Sequence, residues 1–248
     1  MTNAFTQARP NIFLTSMFRS GSTHVKVTLM RCLPTYHAAT TVLSAGAIGD
    51  DNHCAIDIFA AQILLPSPET IFHQHTAGTS GNVALLKNHG IRPVVMMRNM
   101  LDSMLSVVEL LNTGEPQRLG IYYPSKFHNW DMDDQLWWAV CNLPNWYFTF
   151  YLSWKYADID KHIIWYDEYY KDQVAGVRGI LDHVGFKGNI EDEYIHDAAH
   201  TIQGDSRFKF GLPGRGKKVF KPDYIRNIRD QAAAWPEWKE LTEELIER

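Results

Sequence analysis

The alternation of short apolar runs with longer helical patterns is the sequence feature that most constrains the fold. The run NIFLTSM (11–17) has the length of a buried strand, and a helical pattern follows it at 23–33. Runs at 69–76, 92–99 and 162–168 predict three further strands. Because strands that alternate with helices pair through right-handed crossovers, we expect an α/β fold with a central, mostly parallel sheet flanked by helices.

Further helices are predicted along the rest of the chain. Apolar residues recur at helical spacing in 101–112 and 173–186. A longer helical stretch, 133–158, contains Pro144, which predicts a kink or a break there. Since no repeat, low-complexity tract or linker interrupts the chain, we expect a single domain over 1–248.

The composition is that of an ordinary globular protein, with 45% hydrophobic and 21% charged residues. A net charge of −4 gives no general attraction to nucleic acid or to anionic membranes, so any anion site must come from local basic groups. Cys32, Cys54 and Cys141 are widely spaced, which predicts free thiols in a reducing compartment. With neither a signal peptide nor an apolar run of about 18 residues, we expect a cytoplasmic protein without a membrane span.

The segment FRSGST (18–23) follows the first predicted strand and predicts an anion-binding loop. Gly21 permits close backbone approach, and the amides and hydroxyls of Ser22 and Thr23 would donate from a helix N-terminus. Arg19 adds charged donors. The loop lacks the GxxxxGK[ST] pattern of ATP-binding loops, so it suits a phosphate or phosphosulfate held without a metal. The alternative is a Ser/Gly turn that caps a helix.

A second segment, RNMLDSMLS (98–106), places Arg98 at the end of an apolar strand. If the next helix begins near Met100, Ser106 lies about two turns into it and can face Arg98. The pair could then hold one phosphate. The alternative is an ion pair between Arg98 and Asp102, with Ser106 as a plain helix hydroxyl.

Together and in this order, the two segments resemble the sulfotransferases that use 3′-phosphoadenosine 5′-phosphosulfate (PAPS). The resemblance implies a P-loop NTPase-like sulfotransferase fold. In that family the first motif, [KR]SGTT, binds the 5′-phosphosulfate, and the second, RNxxDxxxS, binds the 3′-phosphate. The first motif corresponds here to Arg19, Ser20, Gly21, Ser22 and Thr23, and the second to Arg98, Asn99, Asp102 and Ser106.

The resemblance extends towards the C-terminus. Tyr166 matches a tyrosine on the adenine side of the cofactor, whereas His24 stands where cytosolic members often carry a tryptophan that stacks on adenine. The family's glycine-rich segment GxxGxxKxxF, which closes over the nucleotide, matches Gly211, Gly214, Lys217 and Phe220. The candidates for basic groups on the 3′-phosphate are Arg207, Lys209, Arg215 and Lys217.

His75 matches the family's catalytic histidine, which lies at the end of a strand before the 3′-phosphate arginine. Histidine titrates in the range that accepting a hydroxyl proton requires. His73, two residues earlier on the same strand face, is the second candidate for the base, with Glu69 and Asp57 in reserve. His73 and His75 could alternatively bind a metal as a pair. Arg19 is expected to stabilise the leaving group, and Ser106 to modulate it.

The resemblance implies PAPS as donor and 3′-phosphoadenosine 5′-phosphate (PAP) as product, with no metal. The acceptor would be a hydroxyl of a small molecule, a lipid or a carbohydrate, and its identity and the oligomeric state stay open. Alternatives are a P-loop small-molecule kinase and a non-catalytic nucleotide- or sulfate-binding relative. The irregular stretch 114–131 could line the acceptor pocket through Tyr122, Tyr123, Phe127 and Trp130, or could pack ordinarily.

Two expectations concern the core. The helical aromatic residues Trp137, Trp138, Trp146, Tyr147, Phe148 and Trp154 are predicted to be buried in it. The tail from Asp223 onwards is predicted to be helical with an interruption at Pro236, and to cover the core or a partner chain.

Overall fold

A five-stranded sheet forms the centre of the computed structural model, which describes residues 10–38, 68–113, 123–201, 211–234 and 243–248. The strands are β1 (Ile12–Ser16), β2 (His37–Ala38), β3 (Thr70–Gln74), β4 (Val94–Met97) and β5 (His162–Trp165). Their order across the sheet is β2-β3-β1-β4-β5, and every pair is parallel. The predicted α/β class with a parallel sheet is confirmed.

Helices connect and flank these strands. They are α1 (Ser22–Cys32), α2 (Ser80–Asn88), α3 (Met100–Leu111), α4 (Met132–Asn142), α5 (Pro144–Lys155), α6 (Tyr166–Lys171), α7 (Gln173–Val184), α8 (Asp192–His200), α9 (Gly216–Val219) and α10 (Pro222–Ala233). A 3₁₀ turn covers Phe127–Asn129, and 243–247 is helical. Pro144 occupies the first turn of α5, where its missing N–H costs nothing, so the predicted break in 133–158 is confirmed.

Alternating side chains of the central strands fill two hydrophobic clusters, one on each face of the sheet. Phe13 of β1 and Phe72 of β3 join the cluster that includes side chains of α3, α4 and α5. Their neighbours Ile12 and Leu14 join the cluster of α1, α7 and α8 on the other face. This alternation is the period-2 geometry of a strand covered on both sides. Burying one such side chain stabilises the fold by about 1.5–3 kcal/mol.

The parallel registers bring the carboxyl ends of four strands to one edge of the sheet. Thr15 lies opposite Gln74, and Ser16 opposite Met96. In the sheet, β2 and β3 lie on one side of β1, and β4 and β5 lie on the other side, so the winding of the chain reverses at β1. Ligands of open α/β sheets bind where the winding reverses in this way. The loop after β1 lies at that point, next to the end of β4.

The structure shortens one predicted strand and adds helices that were not predicted. The strand predicted over 162–168 ends at Trp165, and α6 begins at Tyr166, because Asp167 and Glu168 favour the positive end of a helix. Helix α2 was not predicted, since Gly81 and Asn82 in its first turn obscure the helical pattern. Its start is fixed instead by the Thr79 side chain, which accepts a hydrogen bond from the Asn82 amide.

The aromatic residues of the helices are mostly buried, as predicted. Trp154, Tyr147, Phe148 and Trp138 are core residues, and Trp146 is partly buried. Trp137 is 43% exposed, so its predicted burial is wrong; it lies on the outer side of α4 against Tyr224 of α10, with ring centroids 5.3 Å apart.

The acceptor-loop and tail predictions are tested in part. Phe127 is a core residue, which is ordinary packing, whereas Tyr122 lies outside the described residues. The tail is helical over α10 and 243–247, and Pro236 lies outside the described residues. Leu245 and Ile246 are fully buried, so the tail covers the core. Among the described residues, no helix is long and apolar enough to cross a membrane. The single domain over 1–248 stays a prediction.

Candidate functional site

The loop after β1 turns sharply into α1 and leaves the start of that helix facing the sheet edge. Arg19 and Gly21 both have left-handed backbones, with φ of 60° and 84°. The buried Ser20 hydroxyl donates to the Met17 carbonyl at 2.8 Å, which stabilises the turn from within. Among the described residues no side chain caps α1. Its first amides, including those of Ser22 and the half-buried Thr23, therefore have no side-chain cap, and a helix N-terminus of this kind can bind an anion.

Tyr166 lies between this loop and Arg98 and contacts both. Its ring packs so closely on Gly21 that a Cβ there would overlap it. On the same ring, the Arg98 guanidinium carbon lies 4.3 Å from the centroid, in a cation–π contact. A Cβ at Gly211 would also overlap the Tyr166 hydroxyl. The predicted adenine-side tyrosine therefore contacts the first loop, the second motif and the glycine-rich segment together.

The two predicted anion segments meet directly. Arg98 Nη1 donates to the Arg19 carbonyl at 3.0 Å, and Arg19 Nε donates to Ser106 Oγ at 3.0 Å. Ser106 thus faces Arg19, whereas the sequence predicted that it faces Arg98. The alternative pairing is present too, since Arg98 Nη2 lies 3.9 Å from Asp102 Oδ2.

Arg98 is a buried cation that is incompletely satisfied. Its side chain is only 7% exposed, and its Nε has no hydrogen-bond partner among the described residues. Burial lowers the pKa of Arg98, while Tyr166 and Asp102 act to raise it. Because arginine stays protonated in proteins, this position holds a positive charge with an unused donor beside the loop.

Asp102 attaches the glycine-rich segment to α3. Its carboxylate accepts from the Gly214 amide at 2.8 Å and from the Gly216 amide at 2.6 Å. Gly216 lies against the α3 backbone, where a Cβ would overlap Leu101 and Asp102. The sequence did not predict either contact: Asp102 is a motif match and a candidate ion-pair partner of Arg98, and Gly216 falls outside the GxxGxxK spacing. The available signal was a third glycine within six residues, 211–216.

The basic candidates of this segment already have carboxylate partners. Arg215 forms an ion pair with Glu109 of α3, with Nη1 3.2 Å from Oε2. Lys217 Nζ lies 2.6 Å from the Glu247 carbonyl and 3.2 Å from its carboxylate. Gly214 has φ 80°, which suits glycine. Arg207 and Lys209 lie outside the described residues.

His75 follows the end of β3 and lies at the same edge of the sheet. Its Nδ1 is 2.7 Å from the Ser16 carbonyl oxygen, which can only accept, so Nδ1 carries the proton and Nε2 the lone pair. The ring lies edge-on to Phe18 at 4.6 Å between centroids. Glu69, one reserve candidate, precedes the opposite end of β3 and accepts from Thr35. Asp57, the other, lies outside the described residues.

His73 lies beside His75, with ring centroids 5.8 Å apart. Its Nε2 is 2.8 Å from Ser22 Oγ. Within the described part of the chain, no third histidine, cysteine or carboxylate joins the two rings in a metal-binding group.

His24 contacts two other helices through its ring nitrogens. Nδ1 is 3.0 Å from the Tyr169 hydroxyl of α6, and Nε2 is 3.2 Å from the Ala199 carbonyl of α8. The carbonyl requires a donor, so Nε2 carries the proton and Nδ1 accepts from Tyr169. Burial lowers the pKa of His24. Its stacking on adenine stays a prediction.

Solved structures with this architecture are sulfotransferases and a related enzyme. Mouse sulfotransferase SULT7A1 complexed with PAP matches 96% of this chain and 88% of its own length, with a TM-score of 0.66 and 16% identity. A sulfotransferase from Alicyclobacillus acidocaldarius covers 97% of both chains, with a TM-score of 0.51 and 15% identity. Retinol dehydratase in complex with retinol and PAP matches 95% of this chain and 82% of its own, with a TM-score of 0.52 and 12% identity.

These similarities establish the fold: the chain has the sulfotransferase fold, as the sequence predicted. Comparison of the sequence with models of protein families and with curated proteins finds no match. At 12–16% identity the structural similarity does not extend to activity or substrate. Function must therefore be argued from this chain's own site.

Proposed function

We propose that this protein is a PAPS-dependent sulfotransferase whose acceptor is a hydroxyl of a small molecule, a lipid or a carbohydrate. The observation that carries the proposal is the junction of its two anion motifs. Arg19 donates to Ser106, and Arg98 donates to the Arg19 carbonyl. Two segments that are far apart in sequence thereby bring Arg19 and Arg98 together at the carboxyl edge of the sheet.

The residues present fit the two ends of such a cofactor. The α1 amides and Arg19 would hold the 5′-phosphosulfate, since they combine a helix N-terminus with a charged fork. Arg98, buried and with an unused Nε donor, would hold the 3′-phosphate with Ser106. Tyr166 and His24 would lie on the adenine side, and the segment with Gly214, Arg215 and Lys217 would close over the nucleotide. We propose no metal for this site.

PAPS supplies an activated sulfuryl group, and PAP is its leaving group. The protein's own residues accept one proton from the acceptor and stabilise the charge that develops on the leaving group. His75 Nε2, which carries the lone pair, accepts the proton of the acceptor hydroxyl. Fixed donors of Arg19 stabilise the charge that develops on the leaving oxygen. The aromatic rings of Phe18 and Trp146 lie beside His75 and limit access of water.

The cytoplasm is the proposed compartment. Cys32 and Cys141 are both free thiols, as expected of a reducing environment. Burial raises the pKa of the Cys32 thiol to about 11, so this thiol stays protonated and unreactive. Cys54 lies outside the described residues.

Binding and transfer measurements separate the proposal from its alternatives. We expect calorimetry to detect PAP binding without a divalent cation, and no comparable binding of ATP with Mg²⁺. Incubation with ³⁵S-labelled PAPS and a panel of phenols, sterols, sugars and lipids should label at least one acceptor. Binding of ATP with Mg²⁺ and phosphoryl transfer would indicate the kinase instead. Tight PAP binding without transfer to any acceptor would indicate the non-catalytic relative.

A further inference from the structure

A continuous chain of hydrogen bonds joins the two histidines of the site through two serines. His75 Nδ1 lies 3.1 Å from Ser16 Oγ, and Ser16 Oγ lies 2.8 Å from Ser22 Oγ. Ser22 Oγ in turn lies 2.8 Å from His73 Nε2. Ser16 and Ser22 are 0% and 4% exposed, so both serines of this hydrogen-bond chain are buried. The hydrogen-bond chain runs from His75, after the end of β3, to Ser16 at the end of β1. It continues to Ser22 at the start of α1 and returns to His73 in β3.

The proton of His75 sets the direction of the first donors in this hydrogen-bond chain. His75 Nδ1 carries a proton because its nearest partner is the Ser16 carbonyl oxygen at 2.7 Å. Each serine hydroxyl has a single proton to donate. Since Nδ1 is protonated, Ser16 Oγ cannot donate to it and donates to Ser22 instead. The proton of Ser22 is then available to His73, and we assign His73 Nε2 as the unprotonated acceptor at the end of the chain.

The environment of His73 agrees with that assignment. Burial first, and then the electrostatic influence of His75 and Lys26, lower the pKa of His73 well below its ordinary value. The imidazole is therefore neutral at physiological pH and has one nitrogen available as an acceptor. Its partner Ser22 lies in the first turn of α1, so the anion loop and the histidine pair share this hydroxyl.

We propose that Ser16, Ser22 and His73 are positioning residues that keep the proton of His75 on Nδ1, so that Nε2 is its basic nitrogen. This inference rests on the proposed function, in which His75 is the base. In that reaction the acceptor oxygen forms a bond to sulfur and its proton passes to His75 Nε2. The bond between sulfur and the bridging oxygen breaks, and its electron pair leaves with PAP. The oxygens of Ser16 then face the Nδ1 proton of the imidazolium and stabilise its charge.

The inference also changes the role of Ser22. The sequence suggested that its hydroxyl donates to the bound anion along with that of Thr23. In the structure this hydroxyl lies 2.8 Å from His73 Nε2, and in the proposed chain it donates there, so the Ser22 amide remains for an anion. Loss of the hydroxyl should therefore affect the base more than cofactor binding.

The experiment compares Ser22→Ala with Ser22→Thr, which keeps a hydroxyl at the same position. In Ser22→Ala, the Ser16 hydroxyl loses its acceptor and can turn to donate to His75 Nδ1, which favours the other tautomer. We expect kcat to fall about five- to tenfold and the Kd for PAP to change less than about twofold. Ser22→Thr keeps the hydroxyl, so it should lose less kcat than Ser22→Ala. His73→Leu, which removes the terminal acceptor, should behave like Ser22→Ala.

Imidazole ¹⁵N NMR of the protein without ligand provides a readout that does not depend on activity. We expect the wild-type His75 signals, assigned with His75→Gln, to report a protonated Nδ1, and those of Ser22→Ala to shift towards a mixture. A wild-type His75 protonated on Nε2 overturns the inference, even if the variants fail to fold. A tenfold weaker PAP affinity with unchanged kcat in Ser22→Ala overturns it too. Full transfer activity in His75→Ala would instead remove the proposed base while leaving the hydrogen-bond chain in place.

Discussion

The tightest steric constraint in the site falls on Gly21. Its φ of 84° is unfavourable for any residue with a side chain, and a Cβ there would overlap the Tyr166 ring. Tyr166 cannot withdraw easily, because it is buried and stacked against Arg98. Gly21 carries only a hydrogen atom where other residues carry a Cβ, and this allows the loop to pack against the proposed adenine-side tyrosine. A larger residue at this position would therefore displace the loop or Tyr166.

Gly21→Ala is expected to weaken PAP binding at least about tenfold, since both the strain and the overlap displace the loop from Tyr166. Calorimetric titration with PAP measures the effect. Gly81→Ala is the matched control: it lies in α2 with open space around a Cβ, and should leave PAP affinity unchanged. Equal affinities of the two variants would contradict the assignment of this loop.

Arg19 and His75 should separate binding from chemistry. Arg19→Ala is expected to abolish transfer and to weaken PAP binding, because Arg19 is proposed to hold the anion and donates to Ser106. His75→Ala should reduce kcat by roughly 10²–10⁴-fold, the usual contribution of a general base, while PAP affinity stays nearly intact. Single-turnover assays with PAPS, alongside PAP titrations, measure both. Substantial activity in His75→Ala would reassign the base.

At the scale of elements, the sequence predicted what depends on local patterns. The strands β1, β3 and β4 and the helix starts at Ser22 and Met100 follow from apolar periodicity and from the residues at strand ends. What it missed depends on contacts between segments distant in sequence. Asp102 accepts from Gly214 and Gly216, over a hundred positions away, and no pattern within either segment encodes that contact. The hydrogen-bond chain between the histidines is hidden in the same way.

The hydrogen bonds between the Asp102 carboxylate of α3 and the amides of Gly214 and Gly216 predict the effect of Asp102→Asn. The new amide group would face a backbone N–H that now donates to a carboxylate, so one hydrogen bond becomes a repulsive contact and Arg98 loses its nearest carboxylate. We expect the amides of Gly214 and Gly216 to exchange about tenfold faster, with weaker PAP binding. Hydrogen exchange measures the first and calorimetry the second.

Asp230→Asn on the exposed side of α10 is the control for that variant and should change neither quantity. Unchanged exchange at Gly214 and Gly216 in Asp102→Asn would mean that other contacts hold the segment in place.

Over the whole molecule, partly buried histidines make stability depend on pH. Burial lowers the pKa values of His24, His73, His162 and His183 in the folded state. Below the ordinary histidine pKa of about 6.5, the unfolded chain therefore binds more protons than the folded one. The free energy of unfolding should have its full value above a pH of about 6.5. It should fall as the pH drops from there towards the pKa values of these histidines in the folded state.

Urea unfolding at several pH values between about 7.5 and 5 tests this dependence. His183→Gln should flatten the decline, whereas His128→Gln, which changes an exposed histidine, should not. An increase in the free energy of unfolding on acidification over this range would contradict the assignment.

The last residues of the chain connect the core to the proposed cofactor site. Ile246 is 1% exposed, and its carbonyl accepts from Asn99, the residue that caps α3. Arg248 lies over the Trp165 ring at 4.2 Å, at the end of β5. The C-terminal segment thus supports the start of α3, from which Asp102 holds the glycine-rich segment. It is a structural part of the site although no sequence motif includes it.

Ile246→Ala is therefore expected to cost about 2–5 kcal/mol of stability, the usual range for removing a buried isoleucine side chain. Because the cavity lies beneath the α3 start, PAP affinity should fall as well, at temperatures where the protein is still folded. Urea unfolding and PAP titration measure the two effects. Arg226→Ala on the solvent side of α10 is the control and should change neither by much. A loss of stability with unchanged PAP affinity would limit the C-terminal segment to a role in the core.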